Sequence, residues 1–232
     1  MFRLAATPCM IASGDSPIAM ISVGRQFFGI YDFNIAIGSS AIGGSTGTDA
    51  ANALTGAYNI AIGKEALGEL KFGSSNIAIG HNAMVGTGAN NAKASTDNIF
   101  IGQDCGGGTW GSGASSNYNT AVGNFSMDAA MDGAIYNTAL GFRALGALTS
   151  GDYNLAAGKD AGLAITSGTA NTLLGNGAGS AVTGTSNLVM VGNSAGEGGA
   201  LWVKDSSSSL VNTIIAYTQA GVAATGASDL WH

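Results

Sequence analysis

Asn34-Ile-Ala-Ile-Gly38 decides the fold, because the chain returns to it again and again. The pattern recurs as Asn-Ile-Ala-Ile-Gly from Asn59 to Gly63 and from Asn76 to Gly80, and as Asn-Ile-Phe-Ile-Gly from Asn98 to Gly102. Looser copies follow from Asn119 to Gly123, Asn137 to Gly141, Asn154 to Gly158 and Asn171 to Gly175. A ninth copy, from Asn187 to Gly192, carries one extra residue. Three places after each closing glycine stands a small residue: Ala41, Ala66, Ala83, Cys105, Ser126, Ala144, Ala161, Ala178 and Ala195. Spacings between closing glycines are 25, 17, 22, 21, 18, 17, 17 and 17, a 17-residue unit with insertions at about 43–57, 86–97 and 106–117. Self-similarity at a fixed short period is the mark of a stacked architecture.

Within the motif, Asn, the middle residue and Gly alternate with two apolar or Thr residues, as the two faces of a strand do. Both faces carry small or apolar groups, so both are expected to be covered. The closing glycine predicts a sharp turn or a positive φ. Mostly polar pairs follow it, such as Lys64-Glu65, His81-Asn82 and Lys159-Asp160, and read as a solvent-facing corner. A second short strand is expected to open on the small residue. Two strands and two turns per unit make one coil of a parallel β-solenoid. About nine coils at the ~4.8 Å strand spacing stack to only ~43 Å. The asparagines are expected to form a ladder of stacked amides. Phe33, Tyr58, Tyr118, Tyr136 and Tyr153, each just before an asparagine, are expected to stack along one edge rather than line a ligand groove.

Composition agrees with thin coils. The 232 residues include 38 glycines, 2 prolines, 9% charged and 7% aromatic residues. A net charge of −6 with 8 scattered basic residues gives no stripe to neutralise phosphates, so no nucleic-acid partner is expected. No run of eighteen apolar residues occurs, so no membrane insertion is expected. Residues 1–30 lack the motif and read as an N-terminal cap or attachment segment, with 20–24 as a degenerate coil placing Phe27 in the small-residue slot. The opening residues read as no secretion signal, since Pro8 breaks the apolar run. Residues 31–196 are the repeat body. Residues 197–232 read as a C-terminal β cap or assembly module of two strands, flanked by Trp202 and Trp231.

Candidate chemistry is sparse. Cys105 fills the small-residue slot as a buried thiol, and Cys9 stands apart. Glu65, Asp104 and Asp160 are corner residues; Asp128 and Asp132 form no distinctive acid pair. Gly43 to Asp49 approaches a calcium-binding nonapeptide but has one residue too many and occurs once. No catalytic residue, metal or cofactor is expected, and the protein is not read as an enzyme. The insertions fall in neighbouring coils and should emerge together on one side. The last of them holds Trp110, beside Tyr118. These two are the candidate receptor contacts, although Trp110 alternatively packs against a neighbouring coil or subunit.

The pattern, seen best from Asn119 to Gly123, Asn137 to Ala144 and Asn154 to Ala161, resembles the 17-residue repeats of bacteriophage tail-fibre proteins. It is also similar to the β-roll heads of trimeric autotransporter adhesins. The resemblance covers about residues 31–196. It implies a homotrimer and a structural, host-receptor-binding role in a virion tail, as a short fibre, spike or tip. The implied partners are other copies of the chain, other tail proteins and a host surface glycan or protein. The alternative is a subunit of an extracellular or surface filament or adhesin. An ice- or surface-binding role would need more exposed Thr than Thr120, Thr138 and Thr172 supply.

Overall fold

The computed structural model describes residues 34–42, 56–69, 73–86, 95–110 and 113–193, with the backbone of four short strands outside them. Those four are β1 (Ile21–Val23), β2 (Gln26–Phe27), β3 (Ile30–Tyr31) and β13 (Leu201–Lys204). Each motif copy supplies one strand: β4 (Ile35–Ile37), β5 (Ile60–Ile62), β6 (Ile77–Ile79), β7 (Ile99–Ile101), β8 (Thr120–Val122), β9 (Thr138–Leu140), β10 (Leu155–Ala157), β11 (Thr172–Leu174) and β12 (Leu188–Val191). They pair in parallel and in chain order, motif over motif, so that Ala61 lies against Ala78 and Ala139 against Ala156. The protein is an all-β parallel solenoid with no helix among the described residues, and it makes about seven turns where the repeat count implies nine coils.

The solenoid's sheet ends on a reversed strand at each edge. β1 runs antiparallel to β4, with Ile21 opposite Ile37, and β13 runs antiparallel to β12, with Trp202 opposite Met190. Residues 20–24 are therefore not a degenerate parallel coil, and Phe27 lies in β2, opposite Ile30 of β3. Only residues 24–34 separate β1 from β4. That passage is shorter than a parallel crossover needs, whereas an antiparallel return is within reach. The second C-terminal strand, Ala195, Cys9, Phe33, Trp231 and the Gly43–Asp49 stretch lie outside the described residues.

Each closing glycine is in the left-handed half of backbone space, for instance Gly141 at φ 129°. A Cβ there would sit 2.7 Å from the carbonyl oxygen of Gly158, one coil on. Conformation and clearance therefore both demand glycine. The second strand expected after it does not form. The residues two and four places on are left-handed too: Glu65 (59°) and Leu67 (52°), Asn82 (56°) and Met84 (51°), Arg143 (55°) and Leu145 (50°). Two left-handed residues in three are incompatible with a strand. Bonding between coils continues nonetheless. The Glu65 N–H donates back to the Ser39 carbonyl (2.8 Å), and the Leu67 N–H donates forward to that of Ala83 (3.0 Å).

The interior is narrow. It holds the asparagines, the middle strand residue, the small-residue slot and the residue four places after the glycine. Volume is balanced inside most coils. Where the middle residue is Ala61, Ala78, Ala121 or Ala139, the later position is Leu67, Met84, Met127 or Leu145. Where the middle residue is Phe100 or Leu173, the later position is Gly106 or Gly179, and a Cβ on Gly106 would lie 2.6 Å from the Phe100 ring. Ala156 and Gly162 are both small, and the space at Gly162 is filled by Leu145 from one side and Leu173 from the other. Close packing at fixed volume explains this alternation.

The asparagine ladder runs from Asn34 through Asn59, Asn76, Asn98, Asn119, Asn137 and Asn154 to Asn171. In the middle of it, Asn154 Nδ2 donates to Asn137 Oδ1 (2.9 Å) and to the Gly168 carbonyl (2.8 Å). Its Oδ1 accepts from the N–H (3.0 Å) and Nδ2 (2.9 Å) of Asn171. That is the full capacity of an amide, which is how so polar a group sits buried. Asn187 is not a rung. Leu188 pairs in the Asn171 position and donates its N–H to Asn171 Oδ1 (2.9 Å). Gly192 sets the register, so the extra residue pushes Asn187 out to the corner, at φ 57°. A second polar ladder lies two residues before the motif: Ala57 N–H donates to Ser74 Oγ (3.0 Å), Ile135 N–H to Asp152 Oδ1 (2.9 Å) and Thr169 N–H to Ser186 Oγ (2.9 Å).

Candidate interaction surface

The two strand residues that flank the middle one point away from the interior. They form two columns up the sheet: Ile35, Ile60, Ile77, Ile99, Thr120, Thr138 and onward, beside Ile37, Ile62, Ile79, Ile101, Val122 and Leu140. Both faces are expected to be covered, and among the described residues the inward one is. No described element lies over these columns, and Ile35, Val122, Leu140, Leu155, Val189 and Val191 are exposed. Single exposed apolar residues mean little, but two largely apolar columns whose members all stay at least partly exposed from β4 to β12 mark an interaction surface.

Aromatic residues flank the sheet in its middle coils. On the side where the strands begin, Tyr118 stacks on Tyr136 (centroids 4.8 Å apart, planes 5° apart) and Tyr136 on Tyr153 (5.2 Å, 9°). Tyr118, one of the two candidate receptor contacts, is half exposed within this column. On the side where the strands end, Phe125 meets Phe142 edge to face at 5.8 Å. The Arg143 guanidinium lies 5.9 Å from the Phe142 ring centre and pairs with Asp160 at 3.5 Å. Phe125 and Phe142 were legible as breaks in an otherwise polar corner.

Trp110, the other candidate, is not on the surface. It is 1% exposed, packs edge to face on Phe100 at 5.7 Å and donates Nε1–H to the Gly106 carbonyl at 3.0 Å. The ring is consumed by a neighbouring residue of its own coil, where Gly106 leaves room beside the one phenylalanine in the middle-residue row. Cys105 is buried with Sγ 3.5 Å from the Ala121 carbonyl, and burial pushes its thiol up to about 12, which disfavours the thiolate. Asp132 is committed to structure, accepting the Ala114 N–H at 2.7 Å. Burial, with the charge of Asp104 second, raises the Asp128 carboxyl above its ordinary value. His81 stands exposed on its corner. Among the described residues, no cluster of His, Cys, Asp and Glu is arranged to hold a metal ion, and no helix is long and apolar enough to cross a membrane.

The fold and surface define a parallel β-solenoid repeat protein with an apolar face that no described element covers. Comparison with protein-family models, with curated proteins and with solved structures finds no match to this chain.

Proposed function

We propose that this protein is a structural and receptor-binding component of a phage tail, working as a homotrimeric short fibre, spike or tip. The observation that carries the reading is the open apolar face of the sheet. A thin roll with so many alanines buries little apolar surface per residue, at about 25 cal/mol per Å². Ordering its 38 glycines costs more entropy than ordering other residues. Association along the open face removes from water what one copy leaves in it. Closed cyclic symmetry limits the number of copies, and the resemblance of the repeats to tail-fibre repeats favours three. Light scattering on freshly purified protein is the test: a mass of three chains supports the reading, and a folded monomer of 22.8 kDa sinks it.

A further inference from the structure

We propose that the Tyr153 end of the tyrosine column is a subsite for one neutral pyranose ring of a surface glycan. The proposal rests on the receptor-binding half of the reading above and supplies its ligand class. Tyr118, Tyr136, Tyr153, Ala170 and Asn187 are five successive rungs of one column. All are left-handed, at φ 59°, 58°, 57°, 58° and 57°. All donate their N–H to the coil before, to the carbonyls of Thr96, Asn117, Ile135, Asp152 and Thr169. Each Cβ therefore leaves the backbone in the same direction. Three rungs carry rings, the fourth a methyl group and the fifth an amide.

The rings repeat at 4.8 and 5.2 Å, so the missing ring at Ala170 leaves an opening one ring thick between Tyr153 and Asn187. Exposure locates the open aromatic face at this end: Tyr153 is 58% exposed, against 47% for Tyr136 inside the stack and 48% for Tyr118 at its other end. Asn187, itself exposed, forms the far wall. A pyranose presents one face of C–H groups, which suits an aromatic platform, and an edge of hydroxyls, which suits an amide able both to donate and to accept. Ala170 and Asn187 are uncharged and the residue before Tyr153 is Asp152, so none of these offers an acidic sugar a counter-charge and a neutral one is favoured. The extra residue that drives Asn187 off the buried ladder is what delivers its amide to this wall.

Saturation-transfer NMR of the full chain with methyl β-D-galactopyranoside and methyl β-D-glucopyranoside, each at millimolar concentration, tests this. The expected result is transfer to ring C–H protons of at least one glycoside with the unaltered protein. In Ala170→Tyr, which fills the opening with the residue its neighbouring rungs already hold, transfer should fall to background. Asn187→Ala should weaken it several-fold, with circular dichroism unchanged in both variants. No transfer to either glycoside, or undiminished transfer to Ala170→Tyr, overturns the proposal. Light scattering on the same samples separates the two readings: a trimer that binds neither glycoside removes the subsite and leaves the assembly standing.

Discussion

At the scale of single residues, the solenoid depends on groups with no room for substitution beside others that have plenty. Gly141→Val puts a β-branched side chain at φ 129° with its Cβ against the Gly158 carbonyl. It should cost about 3–5 kcal/mol in denaturant unfolding. Asn137→Ala leaves the Gly151 carbonyl and the Asn154 backbone N–H without partners inside the roll and takes one of two bonds from Asn119 Oδ1 and from Asn154 Nδ2, and a loss of about 3 kcal/mol or more is expected. Asn187→Ala should cost only about 1 kcal/mol, because that residue is outside the ladder and loses no more than the preference of Asn over Ala for a left-handed φ of 57°. The ladder and the glycines were legible because each copy of the motif repeats them in register. The fate of Asn187 was not, because strand register is set by pairing partners and not by the letter that opens the motif. Cys105 gives a pH dependence of definite sign. Its folded value of about 12 stands above the ordinary 9.0, so the native state holds the proton longer than the unfolded chain. Its contribution is complete below about pH 9 and is lost as pH rises towards 12. Unfolding curves over that window should show a smaller loss for Cys105→Ala than for the unaltered protein.

At the scale of one coil, the packing rule is a trade between the middle strand residue and the position four after the glycine. Ala121→Phe alone drives a ring into Met127, and Met127→Gly alone leaves a hole. Together they reproduce the Phe100 and Gly106 arrangement already present one coil earlier. A double-mutant cycle should therefore give a favourable coupling of about 1–3 kcal/mol; strict additivity would show that the coils do not share volume this way. This trade also explains why Trp110 reads ambiguously in the sequence. A tryptophan in a Gly/Ser insertion has no visible core, until Phe100 and Gly106 together make a recess beside it. The strand half of each coil was legible from its alternation. The other half was not, because alternation of apolar and polar residues also fits a chain whose left-handed residues recur every second position. Leu67, Met84 and Leu145 hold φ values that sequence patterns give no reason to assign to them.

At the scale of the whole molecule, the repeat disclosed a stacked parallel solenoid, but not which of its faces stays open. That depends on what packs over the sheet, and only the three-dimensional arrangement shows that nothing in the described chain does. Leu140, 43% exposed at the centre of this face, is the residue to challenge. Leu140→Lys removes little from the fold of one copy, yet buries a charge wherever copies meet across the sheet. It should therefore yield smaller species on a sizing column while the circular dichroism of the β-solenoid persists; a variant that assembles as the unaltered chain does would place the contact elsewhere. The most direct measurement is the mass of the unaltered protein by light scattering at micromolar concentration. The account predicts three times the chain mass of 22.8 kDa, unchanged on dilution, and a stable folded species of one chain mass would contradict it.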